Sequence, residues 1–301
     1  MSSDAPSGSP RYRARPPVSR RSPASALLMA LTAIASVQVG SAIATGLFDD
    51  LGASGVTLLR LGFAAVILAA VTRPRLRTWS PAAWRAAGLL GVAMAGMNLI
   101  FYLSLSMVPL GIAVTVEFLG PLLLAVVQTR RVLDLFWAAL AAAGVLLLGF
   151  DSGGSAPVAG LVLAFVAGLF WASYIVLSAR LGGLVPGTGG LAVSLAVAAA
   201  LVLPFGAAGA AEVTSHPSLL LGVVAVAVLS SVLSYGLELN ALRRIPTRVF
   251  GILMSLEPAA AAVAGLIILR QRLGPAEIVA LALVTLASAG VTLAHRDRTP
   301  A

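Results

Sequence analysis

The sequence contains no cysteine and no lysine, and it has two histidines among its 301 residues. Without cysteine the chain forms no disulfide, offers no thiolate and builds no cysteine-ligated metal site. Without lysine it has neither a Schiff-base amine nor a serine-lysine dyad, and the nucleotide-binding pattern G-x-x-x-x-G-K-[ST] is absent. His216 and His295 lie outside the apolar runs, so neither offers a buried base or ligand. These absences argue against an enzyme, an ATP-driven pump and a bound metal or cofactor.

Charged residues are also scarce, at 10% of the chain, whereas a typical globular domain is roughly 25% charged. The chain is 59% hydrophobic, with a mean hydropathy of +1.00. Because a soluble fold cannot bury that much apolar surface, the lipid bilayer is the expected partner. All 20 basic residues are arginines, mostly in short segments between apolar runs. The net charge of +9 therefore indicates membrane topology and not a nucleic-acid partner.

Apolar runs long enough for membrane spans recur along the chain, since a spanning helix needs about 20 residues. The sequence predicts an all-α integral membrane protein with ten transmembrane helices. The predicted spans are Ala24–Phe48, Ser54–Val71, Ala86–Ser106, Leu110–Val127, Leu135–Phe150, Val158–Ser178, Gly190–Ala208, Ser218–Leu239, Val249–Leu269 and Pro275–Ala294. An intramembrane aspartyl hydrolase would need paired aspartates within such spans, and the aspartates outside the tails lie at span ends or in loops.

The two ends of the chain are polar. Residues 1–23 are predicted to form a disordered basic cytoplasmic tail and residues 295–301 a second cytoplasmic tail. A cleaved signal peptide is the alternative for the first, but the run that follows is about 25 residues long, against about 7 to 15 for a signal-peptide core. With the N-terminus inside, 17 arginines are cytoplasmic and two, Arg270 and Arg272, are outside. The positive-inside rule then predicts that both termini are cytoplasmic.

Two carboxylates lie within predicted spans and next to prolines. In PLGIAVTVEFLGP, from Pro109 to Pro121, Glu117 precedes the proline by four residues, and Pro121 has no N–H to bond the Glu117 carbonyl. Glu257 directly precedes Pro258, which biases it away from helical geometry. A charge in a bilayer costs about 2.5 to 3.5 kcal/mol on insertion scales, so such residues usually have a function. We expect Pro121 and Pro258 to kink their helices, and Glu117 and Glu257 to bind substrate or couple protons; for Glu117, capping of the freed carbonyl is the alternative.

The two halves of the chain resemble each other. Pro109 and Pro121 recur as Pro246 and Pro258 at an offset of 137 residues, and the same offset relates Ala35-Ser36 to Ala172-Ser173. A five-helix unit that is repeated once must enter the membrane from opposite sides in its two copies. The sequence therefore predicts two inverted five-helix repeats, residues 24–150 and 158–294, with a substrate site near the midplane where they meet.

Two stretches resemble a known family, and they are AGMNLIFYLSLSMVPLGIAVTVEFLGPL and RRIPTRVFGILMSLEPAAAAVAG. They are similar to the drug/metabolite transporter superfamily, EamA type, and most closely to its threonine/homoserine exporter branch. The similarity runs from about Ala24 to Ala294 and makes both repeats EamA-like. The resemblance implies export of small metabolites across the bacterial inner membrane, driven by the proton gradient.

Four predicted helices carry polar residues at helical spacing. Such stripes line a substrate cavity or, alternatively, hold helices together at roughly 0.6 kcal/mol per hydrogen bond. For Trp171 and Tyr174 a position in the interfacial aromatic belt is a further alternative. The stripes are Gln38, Ser41 and Thr45 on the first helix, Asn98 and Tyr102 on the third, Trp171, Tyr174 and Ser178 on the sixth, and Ser231, Tyr235 and Glu238 on the eighth.

Three further ionisable residues lie within or at the ends of spans. Arg60 is close to the outer end of the second span, where a functional role and snorkelling to the surface are both open. Glu238 is close to Arg243 and Arg244, and Glu277 follows Arg270 and Arg272. For both glutamates an interfacial ion pair is the expected role.

The sequence predicts an exporter of small amino acids, threonine or homoserine by resemblance, that is coupled to protons. Glu117 or Glu257 suits the ammonium of a zwitterion, with Asn98 and Tyr102 as hydrogen-bonding neighbours. Arg60, or N–H groups exposed at a broken helix, suits the carboxylate. Export of another metabolite or drug, a passive channel and a structural membrane protein are the alternatives. The oligomeric state is left open.

Overall fold

The fold is a bundle of ten apolar helices. The computed structural model of the chain describes residues 23–129, 132–151, 157–242, 244, 245 and 247–294. The helices within these ranges are α1 (Pro23–Thr45), α2 (Phe48–Thr72), α3 (Pro81–Leu105), α4 (Leu110–Glu117 and Leu119–Thr129), α5 (Val132–Asp151), α6 (Val158–Leu184), α7 (Gly189–Ser215), α8 (Leu219–Ala227, the π-helical turn Val228–Leu233 and Ser234–Leu242), α9 (Thr247–Met254 and Glu257–Ile268) and α10 (Pro275–Ala294). In the part of the chain that the structure describes, nine are long and apolar enough to cross a membrane, and the apolar part of α5, Leu135–Leu148, is shorter. The predicted all-α membrane fold of ten helices is confirmed.

Some predictions concern residues outside these ranges. They include the predicted tail at residues 1–22, the tail at 295–301, Arg130, Arg131, Arg243 and Pro246. Pro23, which was assigned to the tail, is the first residue of α1. The cytoplasmic location of the termini stays a prediction.

Several helix ends differ from the predicted spans. α1 ends at Thr45, and Phe48 begins α2, so that Asp49 and Asp50 lie in the first turn of α2 and not in a loop. Gly52 has φ 65° and ψ 158°, which bends α2 close to the predicted start of the second span. α7 continues past the predicted end at Ala208 to Ser215. A count of apolar residues misses these helix ends, because polar residues such as Glu212 continue a helix without adding to its hydropathy.

The breaks in α4 and α9 have one local cause. A proline cannot donate to the carbonyl four residues back, and these residues are Glu117 for Pro121 and Met254 for Pro258. The first half of α4 ends at Glu117 and the first half of α9 at Met254. Pro258 is the second residue of the new half-helix, where its missing N–H costs nothing. Glu257 is thus the first residue of a helix, and the prediction that it leaves helical geometry is wrong.

The offset of 137 residues relates helix ends as well as prolines. It moves Leu110–Glu117 onto Thr247–Met254, and it moves Leu105, the end of α3, onto Leu242, the end of α8. Contacts between helices agree with the same correspondence, in which α1 matches α6 and α3 matches α8: α3 packs on α6 as α1 packs on α8. The corresponding helices of the other three pairs pack on each other, namely α2 on α7, α4 on α9 and α5 on α10. These correspondences agree with a repeat, and its inverted orientation stays a prediction.

The apolar core is continuous at one end of the bundle and divided at the other. At the end that holds Asp49, called here the Asp49 side, one cluster joins α1, α2, α3, α4, α5, α6, α8, α9 and α10. At the opposite end, the Arg73 side, one cluster joins α2, α3, α6 and α7, and a separate one joins α4, α5 and α10. A crevice between α4, α5 and α10 on the Asp49 side has no room for a water molecule. The buried apolar residues therefore form one cluster on the Asp49 side and two on the Arg73 side.

Candidate functional site

Arg60 occupies the interior of the bundle between α2, α3 and α8. Its side chain is only 5% exposed. Nη1 donates to the Tyr102 hydroxyl at 2.7 Å, Nε to Ser231 Oγ at 3.1 Å and Nη2 to the Ser230 carbonyl at 3.4 Å. The guanidinium carbon also lies 5.1 Å from the centre of the Tyr102 ring. Because the head group is buried and bonded, the snorkelling alternative is wrong.

The π-helical turn of α8 supplies two of the three acceptors for this arginine. A π-helix bonds each carbonyl to the residue five positions on and leaves a wider turn, a feature frequent at functional sites. The Ser36 hydroxyl on α1 donates to the Leu229 carbonyl at 2.7 Å, and the Ser234 hydroxyl donates to the Ser230 carbonyl at 2.9 Å. Gly40 of α1 lies so close to Ser230 that a side chain at position 40 would overlap it. α1, α2 and α8 therefore meet at this turn.

The two predicted carboxylates lie at the broken helices. Glu117 is the last residue of the first half of α4, and Glu257 is the first residue of the second half of α9. They are 8% and 7% exposed, so both are buried. Glu117 interacts electrostatically with Arg60, and Glu257 with Glu117. In the described ranges, neither carboxyl group accepts a hydrogen bond, which leaves both available to a substrate or a proton.

α6 fixes the position of the break in α4. Gly168 lies against the Glu117 carbonyl and Gly120 lies against Gly168, so a side chain at either glycine would overlap the other helix. Trp171, one turn further along α6, packs edge-on against Phe118 with ring centres 5.3 Å apart. Small residues permit such close helix approach in membranes. The break that carries Glu117 is therefore held from outside α4.

Two tyrosines lie on the Arg73 side of the buried charges. The rings of Tyr174 on α6 and Tyr235 on α8 are 6.1 Å apart, and Tyr235 interacts electrostatically with Arg60 and Glu117. Both rings pack against the cluster of α2, α3, α6 and α7, whereas Trp171 packs against the cluster of α4, α5 and α10. Trp171, Tyr174 and Tyr235 are half-buried, and they border the division between the two clusters.

Two predicted site residues have no observed contact with the charged group. Asn98 is buried, but its Nδ2 donates to the Met94 carbonyl of its own helix at 2.7 Å. Gln38 is 4% exposed on α1, and its amide makes no hydrogen bond within the described part of the chain. Of the two residues predicted to assist a carboxylate, Tyr102 instead binds Arg60. The roles of Asn98 and Gln38 stay predictions.

Two residues of this region were not among the predicted substrate-binding or proton-coupling residues. Glu238 interacts electrostatically with Tyr174, Tyr235 and Glu257, while Arg244, one of its predicted partners, instead approaches Met29 Sδ at 3.5 Å. The sequence placed Glu238 on the polar stripe of α8 with Tyr235, but an interfacial ion pair was the expected role. Ser36 was noted only as part of the repeat. Glu277 accepts from the Gly274 N–H at 2.6 Å and caps α10.

Comparisons with known proteins agree with this architecture. The model of the EamA-like transporter family matches residues 158–293. The threonine/homoserine exporter RhtA of Escherichia coli (strain K12) is 42% identical over 273 residues, which cover 90% of this chain and 92% of that protein. The protein of the same name from Salmonella typhimurium (strain LT2) matches with the same identity and coverage. A solved crystal structure with 21% sequence identity shares the fold at a TM-score of 0.58, covering 91% of this chain and 99% of the other.

Proposed function

The chain belongs to the EamA-like transporter family, and from that premise we propose that it exports small amino acids across the bacterial inner membrane in exchange for protons. Threonine and homoserine are the proposed substrates, because the relatives with 42% identity carry those amino acids in their names. The observation that supports this most is a buried arginine, Arg60, that interacts electrostatically with a buried glutamate, Glu117, in the interior of a membrane bundle.

The pair suits a zwitterion. The substrate carboxylate binds the Arg60 guanidinium, whose planar fork matches the two carboxylate oxygens. The substrate ammonium binds Glu117, with Glu257 as the second carboxylate on the opposite repeat. Burial of both charges inside the bundle strengthens each contact, since screening by water is weak there.

Proton coupling follows from competition for one carboxyl group. When Glu117 is ionised it binds the substrate ammonium, and when it takes up a proton the ammonium loses its partner. One proton moving inward on Glu117 thereby replaces one amino acid moving outward. A carboxylate without a hydrogen-bonding partner in the described chain is suited to such exchange, because neither state loses a structural bond.

The division of the core gives the direction of access. The two clusters on the Arg73 side are separate, and Trp171, Tyr174 and Tyr235 border the division between them. The described arginines of the loops concentrate on this side, which the positive-inside rule assigns to the cytoplasm. Under this proposal the conformation takes up substrate from the cytoplasm for export, and both termini are cytoplasmic.

Uptake into everted membrane vesicles tests the proposal. Vesicles from cells that express the chain should accumulate labelled L-threonine and L-homoserine when a proton gradient is imposed, and vesicles from cells without it should not. Threoninol, which lacks the carboxylate, and 2,3-dihydroxybutyrate, which lacks the ammonium, should compete far more weakly. Accumulation of another class of metabolite, with no accumulation of amino acids, would show that the proposed substrate is wrong. Flux without counterflow would indicate a passive channel.

A further inference from the structure

Arg60 presents two edges with different partners. A guanidinium has five N–H groups, and the three hydrogen bonds of Arg60 occupy one each on Nε, Nη1 and Nη2. The Nε and Nη2 bonds go to Ser231 and to the Ser230 carbonyl, so this edge of the fork faces the π-helical turn. Among the described residues, one N–H on Nη1 and one on Nη2 have no acceptor. These two N–H groups, called here the free edge, can donate to the two oxygens of a carboxylate.

The π-helical turn is itself held by another helix. In the wide turn, the Leu229 carbonyl accepts from Ser36 on α1, and the adjacent Ser230 carbonyl accepts from Arg60 and Ser234. The close approach of Gly40 to Ser230 brings α1 against the turn one helical turn beyond Ser36. The Ser36 bond is 2.7 Å long and part-buried. Removal of the Ser36 hydroxyl would leave the Leu229 carbonyl without this partner and loosen the turn that receives Arg60.

We propose that Ser36 and Ser231 are positioning residues for substrate recognition: Ser36 holds the π-helical turn from α1, and the turn orients Arg60 so that its free edge faces the substrate carboxylate. The recognition step of this inference rests on the proposed function. Neither serine touches the substrate. α1 and α8 are linked to the substrate carboxylate through Arg60, although neither helix contributes a charge to the Arg60 and Glu117 pair.

The experiment compares matched serine-to-alanine variants. Ser36→Ala and Ser231→Ala remove one hydroxyl each, and Ser36→Thr restores the donor. Ser194→Ala is the control, because the Ser194 hydroxyl also makes a bond between helices, to the Ala87 carbonyl at 2.9 Å, besides one to the Gly190 carbonyl of its own helix, and it lies outside the contacts of Arg60. L-threonine uptake into everted vesicles gives KM and the maximal rate for each variant. Hydrogen exchange of Val228–Leu233 in purified protein gives the stability of the turn without any substrate.

The expected result is a KM for L-threonine raised about threefold to tenfold by Ser36→Ala and by Ser231→Ala, the loss that one hydrogen bond produces. The maximal rate should change less than the KM, Ser36→Thr should recover most of the loss, and Ser194→Ala should keep the wild-type KM. Equal KM values in Ser36→Ala and Ser194→Ala, or a fall in maximal rate alone, would overturn the inference.

The exchange measurement separates this inference from the proposed function. If wild-type vesicles do not take up L-threonine, the proposed substrate is wrong. Hydrogen exchange in the purified protein then decides whether Ser36 holds the turn. Faster exchange of Val228–Leu233 in Ser36→Ala than in Ser194→Ala would support that part. The same exchange in both variants would contradict it, whatever the substrate is.

Discussion

Gly168→Ala is the change whose effect follows most directly from the packing around Glu117. An added Cβ would overlap the Glu117 carbonyl oxygen and would lie 3.1 Å from the Glu117 carbonyl carbon and 3.2 Å from its Cα. All three atoms are backbone, so no side-chain rotation relieves the overlap, and either α6 or the break in α4 must move. Overpacking of this kind costs roughly 1 to 3 kcal/mol. A displacement of about 1 Å at a functional group can reduce activity on the order of a hundredfold.

We therefore expect Gly168→Ala to reach the membrane and to lose about tenfold to a hundredfold of L-threonine uptake in everted vesicles. Gly182→Ala is the matched control, because it lies on the same helix and an added Cβ would meet no atom within 4 Å. Immunoblotting measures the amount of each variant, and thermal unfolding in detergent measures its stability. Uptake by Gly168→Ala at the level of Gly182→Ala would refute the claim that this contact fixes Glu117.

Three further predictions follow. Arg60→Lys should lower L-threonine uptake about tenfold or more, because an ammonium keeps the charge but loses the planar fork that bonds Ser231 and the Ser230 carbonyl; wild-type uptake by this variant would remove Arg60 from the site. A protonophore should abolish accumulation in everted vesicles. ATP depletion should leave accumulation unchanged when a proton gradient is imposed. Accumulation that survives the protonophore would exclude proton coupling. Reporter fusions should place both termini in the cytoplasm, and a C-terminus outside would contradict the orientation from the arginine distribution.

The breaks in α4 and α9 could be predicted because their cause is local. A proline removes one specific bond, and the half-helices end at Glu117 and Met254, the residues that lose it. The ten helices were predictable for a similar reason, since bilayer thickness sets the length of each apolar run. The ends of the helices were harder to predict from hydropathy, because Asp50 and Glu212 are polar and yet lie within helices.

The π-helical turn of α8 could not be predicted from its own residues. VLSSVL contains neither proline nor glycine, and its wide turn faces partners on α1 and α2, Ser36 and Arg60, that are distant in sequence. The environment of Glu238 also depends on contacts between helices. Arg244 is near it in sequence, but its side chain approaches Met29 of α1, while Glu238 interacts with Tyr174, Tyr235 and Glu257. Contacts between helices outweighed sequence proximity in both cases.

The central claim is that Glu117 exchanges a proton for a substrate ammonium, and Glu117→Gln tests it most directly. Glutamine keeps the volume and most of the hydrogen bonding but cannot ionise. Glu277→Gln is the matched control, since Glu277 is 7% exposed against 8% for Glu117 and has a capping role on α10. With equal amounts of each variant in everted vesicles, we predict that Glu117→Gln loses proton-driven L-threonine uptake and that Glu277→Gln retains it. Wild-type uptake by Glu117→Gln would contradict this claim and would indicate Glu257 as the carboxylate that exchanges the proton.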